Sequence, residues 1–494
     1  MPQTKPRARN QQEPVIVWLR DNLRLADNRA LSAAARTGQP VLPVYVYDDA
    51  SPGLRPLGGA SRWWLHHSLA ALAGDLDAAG ARLNILRGAA GTIVPQLAQR
   101  SGATAVFWSR RYGGPERAVD TQIKTSLGEL GIGAHSCNDL LLVEPWEVMT
   151  RGGEPFKVFT PFWRALRERG EPAPPLPKPR TLTAAAMSPP DALGGVTLDS
   201  LDLLPMRPDW AGGLRETWTP GEQGARARLT QFARSGLDGY AANRDRPDLT
   251  GTSRLSPHLH FGELGIREAW HRVARASADH KVPHADAQKF LSELAWREFS
   301  NHLLFHTPDL ATRNFQPRFD AFPWQPDRRQ VRAWQRGRTG YPIVDAGMRE
   351  LWHTGWMHNR VRMITASFLI KHLLTDWRTG EAWFWDALVD ADAANNAASW
   401  QWVAGSGADA APYFRVFNPV LQGRKFDPEG DYVRRWVPEI AGLPTAHIHA
   451  PWDAPASVLA AAKLELGRGY PKPIIDLDEG RARALAAFDT VKGR

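Results

Sequence analysis

The first part of the chain alternates short apolar runs with longer amphipathic stretches. The apolar runs cover residues 15–19, 41–47, 83–86 and 105–108, and helical patterns end at Ala35 or cover 62–79 and 92–100. Strands that alternate with helices in this way indicate βαβ units and a parallel sheet. We therefore predict a doubly wound α/β domain at residues 14–140, after a disordered tail at 1–13. The G-x-G-x-x-G fingerprint of dinucleotide-binding folds does not follow the first strand.

A proline-rich segment follows at residues 171–190, where the chain reads E-P-A-P-P-L-P-K-P-R and later S-P-P. Proline fixes φ and lacks a backbone N–H, so this segment can form neither a helix nor a central strand. After about Pro220 the pattern is helical nearly to the end, with long amphipathic stretches at 285–306, 341–351 and 356–374. We predict an interdomain linker at 141–219 and an all-helical domain at 220–494.

Charge and cysteine content restrict the partner and the compartment. The formal net charge of +9 favours a polyanionic partner, although a basic protein without such a partner would carry the same charge. The single cysteine, Cys137, excludes a disulfide framework and a Cys-ligated iron–sulfur cluster, and it fits a reducing cytoplasm. No apolar run approaches the roughly 20 residues of a spanning helix, and residues 1–13 lack the apolar core of a signal peptide. We predict a soluble cytoplasmic protein with no metal site.

The densest group of polar and aromatic side chains lies at residues 390–413, which read D-A-D-A-A-N-N-A-A-S-W-Q-W-V-A-G-S-G-A-D-A-A-P-Y. Asp390, Asp392 and Asn396 could hydrogen-bond a polycyclic polar ligand, and Trp400 adds an oxidisable aromatic surface. Small residues among them would let the backbone approach a flat, bulky group. The alternative is a polar helix end followed by a glycine turn.

Hydroxyl groups cluster at residues 251–257, G-T-S-R-L-S-P, where we predict the start of a helix. Free backbone N–H groups and the helix dipole favour an anion at such a place, so a phosphate or pyrophosphate could bind there. The alternative is an ordinary N-cap, for which Ser and Thr are common.

Residues 291–299 read L-S-E-L-A-W-R-E-F. On a helix Glu293, Trp296 and Arg297 share one face because they lie at i, i+3 and i+4. That face could form a pocket floor that stacks on one planar group and hydrogen-bonds another. The alternative is an exposed Glu–Arg pair beside a core tryptophan.

A further polar segment lies at residues 339–368, T-G-Y-P-I-V-D-A-G-M-R-E-L-W-H-T-G-W-M-H-N-R-V-R-M-I-T-A-S-F. Asn359, Arg362 and Met363 share one helical face, and we expect Arg360 to point elsewhere. Met363 could also simply fill the core, which is the commonest role of methionine.

Taken together, these segments resemble the photolyase/cryptochrome family. The resemblance extends from about Val15 to the end of the helical domain and is densest in the C-terminal half; its clearest N-terminal segment is V-W-L-R-D-N-L-R-L-A-D-N. Met363 matches the members that repair cyclobutane pyrimidine dimers, whereas members that repair (6-4) photoproducts have His there. The resemblance implies FAD in the helical domain and light-driven splitting of a flipped-out dimer in UV-damaged DNA by an electron from reduced FAD.

The resemblance also implies roles for individual residues. Asn396 would face the flavin N5, and Arg362 would pair with Asp390 beside the ring. Trp400, Trp377 and Trp324 would relay electrons to the flavin, although each could be a core tryptophan. The implied FAD-binding set is Tyr240, Thr252, Ser253, Arg254, Leu255, Ser256, Glu293, Arg297, Asn359, Arg362, Asp390, Asp392 and Asn396.

The same resemblance implies how the lesion is held. Glu293 would hydrogen-bond the dimer and Trp296 would stack on it, so Glu293, Trp296, Met363 and Asn396 are the predicted catalytic residues. Contacts to phosphates carry no base information, which suits a lesion without sequence context. We expect a monomer. The implied DNA-binding set is Arg244, Trp296, Asn359, Arg360, Arg415, Gln422 and Lys425.

Two questions stay open at this point. An antenna chromophore is expected in the α/β domain, but Ala311, Thr312, Ser109 and Arg110 depart from the folate contacts of the best-known bacterial members. Methenyltetrahydrofolate bound differently is the first candidate, and a deazaflavin, a second flavin or no antenna are the others. The alternative functions are a cryptochrome photoreceptor with the same FAD core, a (6-4) photolyase, or a basic nucleic-acid-binding protein without light chemistry.

Overall fold

A five-stranded parallel sheet forms the N-terminal part of the protein. The computed structural model describes residues 13–185, 194–410 and 414–492. The strands lie in the order β3-β2-β1-β4-β5, and each neighbouring pair is parallel. The strands are β1 (Val15–Leu19), β2 (Val41–Tyr47), β3 (Asn84–Arg87), β4 (Ala105–Ser109) and β5 (Gly133–Cys137). The helices between them are α1 (Arg29–Arg36), α2 (Gly59–Ala78), α3 (Ala90–Ser101) and α4 (Gly114–Glu129).

Both faces of the sheet are buried, which explains why its strands read as unbroken apolar runs. Along β1, Val17 and Leu19 belong to one hydrophobic core, whereas Ile16 and Trp18 belong to the core on the opposite face. Side chains alternate between the faces of a strand, so a sheet covered on both sides needs apolar residues at consecutive positions. The predicted doubly wound α/β fold is confirmed.

The segment predicted as a linker contains packed secondary structure. Residues 171–185 form no helix, as their prolines require, but they are preceded by helix α5 (Phe159–Glu168). Phe162 of α5 lies with its ring 5.2 Å from that of Phe299 in the helical part, so the segment forms part of that core. Residues 1–12 of the predicted tail at 1–13, and the S-P-P sequence at 188–190, lie outside the described residues.

The C-terminal part is helical. One predicted helix, at residues 356–374, is wrong at both ends: His358 caps the helix by accepting a hydrogen bond from the Arg360 N–H, and the helix passes into a π-helical turn at Phe368–His372. Short 3-10 helices lie at Asp199–Leu201, Pro317–Ala321, Pro438–Ile440 and Pro451–Asp453. The helices after α5 are α6 (Gly212–Thr217), α7 (Glu222–Ser235), α8 (Tyr240–Asn243), α9 (Ser256–His260), α10 (Ile266–Ala278), α11 (His284–His306), α12 (Arg328–Gln335), α13 (Pro342–Thr354), α14 (Asn359–Ser367), α15 (Trp377–Ala387), α16 (Ala393–Ala404), α17 (Pro419–Phe426), α18 (Asp431–Trp436), α19 (Thr445–Ile448), α20 (Ala456–Ala461) and α21 (Leu477–Asp489).

The loop after β1 joins the two parts of the molecule. The buried guanidinium of Arg24 donates to the carbonyls of Ala26, Asp27 and Asp139 and, across the boundary, to the carbonyl of Gly262 at 2.8 Å. Gly262 has φ +65°, and a Cβ there would lie 1.8 Å from the Asp21 carbonyl oxygen. A side chain at position 262 would therefore push the two parts apart.

No helix in the described part of the chain is long and apolar enough to cross a membrane.

Candidate functional site

A cavity of about 530 Å³ lies among α8, α9, α11, α14 and α16. These elements are distant in sequence, so the fold brings the predicted motifs to one place. Of the residues predicted for the site, Trp324, Trp377, Arg415, Gln422 and Lys425 lie outside its wall. The predicted residues that line the cavity are Tyr240, Arg244, Thr252, Ser253, Arg254, Leu255, Ser256, Glu293, Trp296, Arg297, Asn359, Arg360, Arg362, Met363, Asp390, Asp392, Asn396 and Trp400.

Helix α11 presents the predicted pocket floor to this cavity. Arg244 pairs with both carboxylate oxygens of Glu293, each at 3.0 Å, and Lys289 pairs with Oε1 at 3.0 Å. Trp296 stacks on Phe159 of α5, with ring centroids 3.7 Å apart and planes 9° apart. The linker helix thus covers one face of the indole and holds its orientation.

Helix α14 presents Asn359, Arg362 and Met363 to the cavity, as predicted from their spacing. The expectation that Arg360 points elsewhere is wrong, because Arg360 also lines the cavity and its Nη1 lies 3.7 Å from the Met363 Sδ. The two residues are three apart, so they are neighbours on a helix surface. Arg360 is also held by Asp245, with Nη2–Oδ2 at 2.6 Å.

The start of α16 holds two carboxylates in different ways. Asp390 accepts from Arg362 Nη2 with both oxygens, at 3.1 and 2.8 Å. Asp392 caps α16, since its Oδ1 accepts from the backbone N–H of Ala394 and Asn395, and its Oδ2 lies 3.6 Å from His260 Nδ1. Burial raises the pKa of Asp392, but the neighbouring His260, the charge of Arg297 and the Asn395 N–H together outweigh it and hold the pKa below its usual range. Asp392 is therefore both a helix cap and an anion on the cavity wall.

The amide of Asn396 has a fixed orientation. Its Nδ2 donates to the Glu381 carboxylate at 2.7 Å and to the Glu381 carbonyl oxygen at 3.1 Å. Both amide hydrogens are thus used by acceptors, which leaves the carbonyl Oδ1 for a ligand. Glu381 lies on α15 outside every quoted motif, and the sequence carries no signal for its role.

The hydroxyl-rich segment at 251–257 leads into α9, which has only five residues. Its N-cap position is Leu255, and no side chain caps the helix, so the ordinary N-cap alternative is not realised. Arg254 has φ +51° and lies 4.8 Å over the ring of Trp356, whose indole N–H donates to the Ser256 hydroxyl at 3.2 Å. The carboxylate of the buried Glu350 is close by, with its Oε1 3.8 Å from Arg254 Nη2.

The donor set of the cavity fits FAD. A guanidinium paired with a carboxylate, an amide with a free carbonyl and a hydroxyl-rich segment stand among apolar side chains of the same wall. Such a mixture of a few placed polar groups within an apolar lining is typical of cofactor sites, and it suits a molecule with both a polar ring system and phosphates. Four further residues were missed in the sequence. His260, Lys289 and Glu381 lie outside the motifs singled out there, whereas Trp356 lies within residues 339–368 but was not recognised as a site residue.

The three predicted relay tryptophans have different surroundings. Trp400 lies on the cavity wall, with its ring 4.9 Å from that of Phe384. Trp377 is fully buried and donates to Asn314 Oδ1 at 2.9 Å. Trp324 is partly buried, with its ring 4.3 Å from that of Phe322.

Two of the predicted DNA contacts lie close to one ring of α17. The ring of Phe426 is 4.5 Å from the Arg360 guanidinium and 5.2 Å from the Lys425 ammonium. Gln422 is half-buried on the same helix, and the exposed Arg415 lies 4.9 Å over the ring of Phe417. Arg360, which lines the cavity, thus connects it to the basic end of α17, and we call Arg360 with Arg415, Gln422 and Lys425 the basic rim.

Two family models match the chain: that of DNA photolyase at residues 15–180 and that of the FAD binding domain of DNA photolyase at residues 290–490. The deoxyribodipyrimidine photo-lyase of Agrobacterium fabrum is 51% identical over 97% of this chain and 98% of its own. Cryptochrome-1 of Arabidopsis thaliana is 40% identical over 96% of this chain and 70% of its own.

The crystal structure of a bacterial class III photolyase from Agrobacterium tumefaciens superimposes with a TM-score of 0.95 at 50% identity, and the match covers 99% of this chain and 100% of that one. The likeness thus extends through both parts of the fold and includes the helices around the cavity. The cofactor prediction is confirmed by the FAD-binding model, and the higher identity to the photo-lyase favours repair over the cryptochrome alternative. The chain belongs to the DNA photolyase family.

Proposed function

We propose that this chain is a deoxyribodipyrimidine photo-lyase that splits cyclobutane pyrimidine dimers in UV-damaged DNA under blue light. The observation that carries the proposal is the shared cavity: Glu293, Trp296 and Met363 line the same space as Arg362 and Asn396. A cofactor held by the second group and a lesion held by the first would be close enough to react.

Reduced FAD, when bound, supplies the light-driven electron transfer that this reaction requires. Arg362 and Asp390 would hold the ring system through their ion pair, and Asn396 would accept a hydrogen bond with its free carbonyl. The segment with Thr252 and Ser253 would hold the phosphates with hydroxyl and N–H groups. Phe384 and Leu388 contribute apolar wall and limit access of water to the same space.

The lesion would be held by α11 and α14. The open face of Trp296 offers a stacking surface, because Phe159 occupies the other face. Glu293 would accept hydrogen bonds from the polar edge of the dimer, and its carboxylate is held ready by Arg244 and Lys289. The negative charge that develops on the dimer would be stabilised by the cations Arg244 and Lys289, which the Glu293 carboxylate already orients.

The proton chemistry of the cavity favours cyclobutane dimers over (6-4) photoproducts. Met363 can neither donate nor accept a proton. His358 is buried as the cap of α14, where burial lowers its pKa to about 3 and its Nδ1 already accepts from the Arg360 N–H. Met363 thus has no proton to give, and the cap contact and burial of His358 oppose the protonated form that repair of a (6-4) photoproduct would need.

DNA would be held without sequence preference by the basic rim, with the dimer flipped into the cavity. We propose that the protein acts as a monomer, because one chain provides the complete cavity and rim. A cytoplasmic location fits the single cysteine, Cys137.

For the antenna chromophore we propose methenyltetrahydrofolate first. The fluorescence emission of the released chromophores separates it from a deazaflavin, a second flavin or no antenna.

The test is light-dependent repair. The purified, reduced protein is mixed with UV-irradiated oligothymidylate and exposed to blue light or kept in the dark, and the loss of dimers is measured by chromatography. We expect repair in the light alone, and no repair of a defined (6-4) oligonucleotide. Bound FAD without repair would favour a cryptochrome, and the absence of FAD would favour a nucleic-acid-binding protein without light chemistry.

A further inference from the structure

Arg55 connects the α/β part of the molecule to the helical part at α15. It lies in the loop before α2, and its Nη1 and Nη2 donate to Oε1 and Oε2 of Glu381 at 2.7 and 2.9 Å. The Glu381 side chain is 4% exposed, whereas that of Arg55 is 36% exposed and lies 4.0 Å over the ring of Trp385. Arg55 therefore brings a cation from the surface to a buried carboxylate.

Glu381 connects this ion pair to Asn396 on the cavity wall. The same Oε1 that accepts from Arg55 accepts from Asn396 Nδ2 at 2.7 Å, and the Glu381 carbonyl oxygen accepts from that nitrogen at 3.1 Å. If the Asn396 amide turned over, its oxygen would face two acceptors at these distances. The orientation with Oδ1 toward the cavity is thus the one that the carboxylate enforces.

The orientation depends on Glu381 staying charged and in place. A buried carboxylate without a cation is costly, and it either takes up a proton or moves toward water. The two parallel hydrogen bonds from Arg55 stabilise the anion and fix its plane. Without Arg55 the carboxylate would lose both its charge partner and its fixed position, and the amide of Asn396 could rotate.

We propose that Arg55 is a positioning residue of the flavin site, which acts through Glu381 to keep the Asn396 carbonyl directed into the cavity. A carbonyl accepts but does not donate, so it favours a ligand that presents an N–H there. The reduced flavin ring carries an N–H at position 5 that the oxidised ring lacks. Because the carbonyl favours the reduced ring, Arg55 of the α/β part would raise the reduction potential of the bound cofactor. This inference rests on the proposed function.

The test is the midpoint reduction potential of bound FAD, measured by spectroelectrochemical titration of the full-length protein. We expect Arg55→Gln to lower the potential and Arg55→Lys to restore most of it, because Lys keeps the charge but not the paired hydrogen bonds. Trp385→Leu is the matched control: it removes the ring under Arg55 but leaves the ion pair, so the potential should stay unchanged.

A double-substitution cycle separates this role from a general effect on folding. Glu381→Met removes the carboxylate acceptor of Asn396 and leaves only the backbone carbonyl, so it should lower the potential by itself, and Arg55→Gln should then add no further shift. An unchanged potential in Arg55→Gln with FAD bound, or additive shifts in the double variant, would overturn the inference and leave the proposed function standing. If the unaltered protein binds no FAD, the proposed function fails and the inference fails with it.

Discussion

The indole of Trp296 has two faces with different neighbours. Phe159 covers one face in a parallel stack, and the other face belongs to the cavity wall. A ring held in this way loses little conformational freedom when a base stacks on it, so its contribution to binding is large for its size.

Trp296→Ala should therefore weaken the binding of an oligonucleotide with a cyclobutane dimer by about 1–3 kcal/mol, the range for base–aromatic stacking. Binding of intact duplex should change less, because that complex does not fill the cavity. Fluorescence anisotropy titrations measure both. Trp163→Ala is the control, since Trp163 lies on α5 but does not line the cavity. An equal loss for damaged and intact DNA would contradict a stacking role.

A pH-dependent contribution to stability is expected from Glu298, a buried residue of α11 that follows Arg297. Burial raises its pKa from 4.5 to about 7, although Arg297 and the N–H groups of Leu142 and Val143 act against this rise. Since the folded protein keeps the proton longer than the unfolded chain, the free energy of unfolding falls as the pH rises from about 4.5 to 7, by up to about 3 kcal/mol. Glu298→Gln should flatten that dependence in denaturant titrations at several pH values. A slope equal to that of the unaltered protein would show that Glu298 does not titrate in this range.

Site residues that belong to short local patterns could be predicted, and those that act across the fold could not. Glu293, Trp296 and Arg297 share a helix face by spacing alone, and the structure places all three on the cavity. Arg55 and Glu381 are 326 positions apart, so no local pattern connects them. Their roles, like those of the predicted residues, stay predictions until tested.

At the scale of elements, the close approach of α15 to α16 depends on a glycine. A Cβ at Gly380 would lie 2.1 Å from the Trp400 ring and 2.7 Å from Leu369. The indole is buried and cannot move without displacing its neighbours. The position of Trp400 relative to α15, which begins at Trp377, is thus set by the missing side chain.

Gly380→Ala should lower the free energy of unfolding by about 1–3 kcal/mol, as overpacking of a buried contact does. It should also slow the photoreduction of oxidised FAD, because Trp400 must shift. Gly74→Ala in α2, about one turn before the helix ends, is the matched control: its Cβ meets nothing within 4 Å. That change should leave stability equal or raise it by up to about 1 kcal/mol. Equal thermal unfolding of the two variants would contradict the packing argument.

Elements with a strong period could be predicted better than those without one. Strand β2 lies at the predicted residues, since both of its faces are covered and its sequence is continuously apolar. Strand β5 reads G-A-H-S-C and was missed, because an edge strand that is only half-buried carries no such run. The predicted helix at 356–374 failed at a capping histidine, which a periodic pattern does not show.

At the scale of the whole molecule, the excess of positive charge should govern DNA binding. Lys425→Ala should flatten the slope of log affinity against log salt by about one unit, since it removes one phosphate contact. Arg360→Ala should change the slope by less, because Asp245 already neutralises much of its charge at 2.6 Å. Filter binding at several salt concentrations measures the slopes, and Lys124→Ala on α4 is the control. No change in the Lys425 variant would place the DNA rim elsewhere.

The contact of Arg24 with Gly262 limits how the molecule can be recombined. The donor belongs to the sheet part, and its acceptor lies at a position where any side chain would strike the Asp21 carbonyl. A chimera that joins the sheet part of this chain to the helical part of a relative requires a glycine at that position in the donor sequence. Domain exchange between photolyases is thus restricted by Gly262, a residue that does not line the cavity.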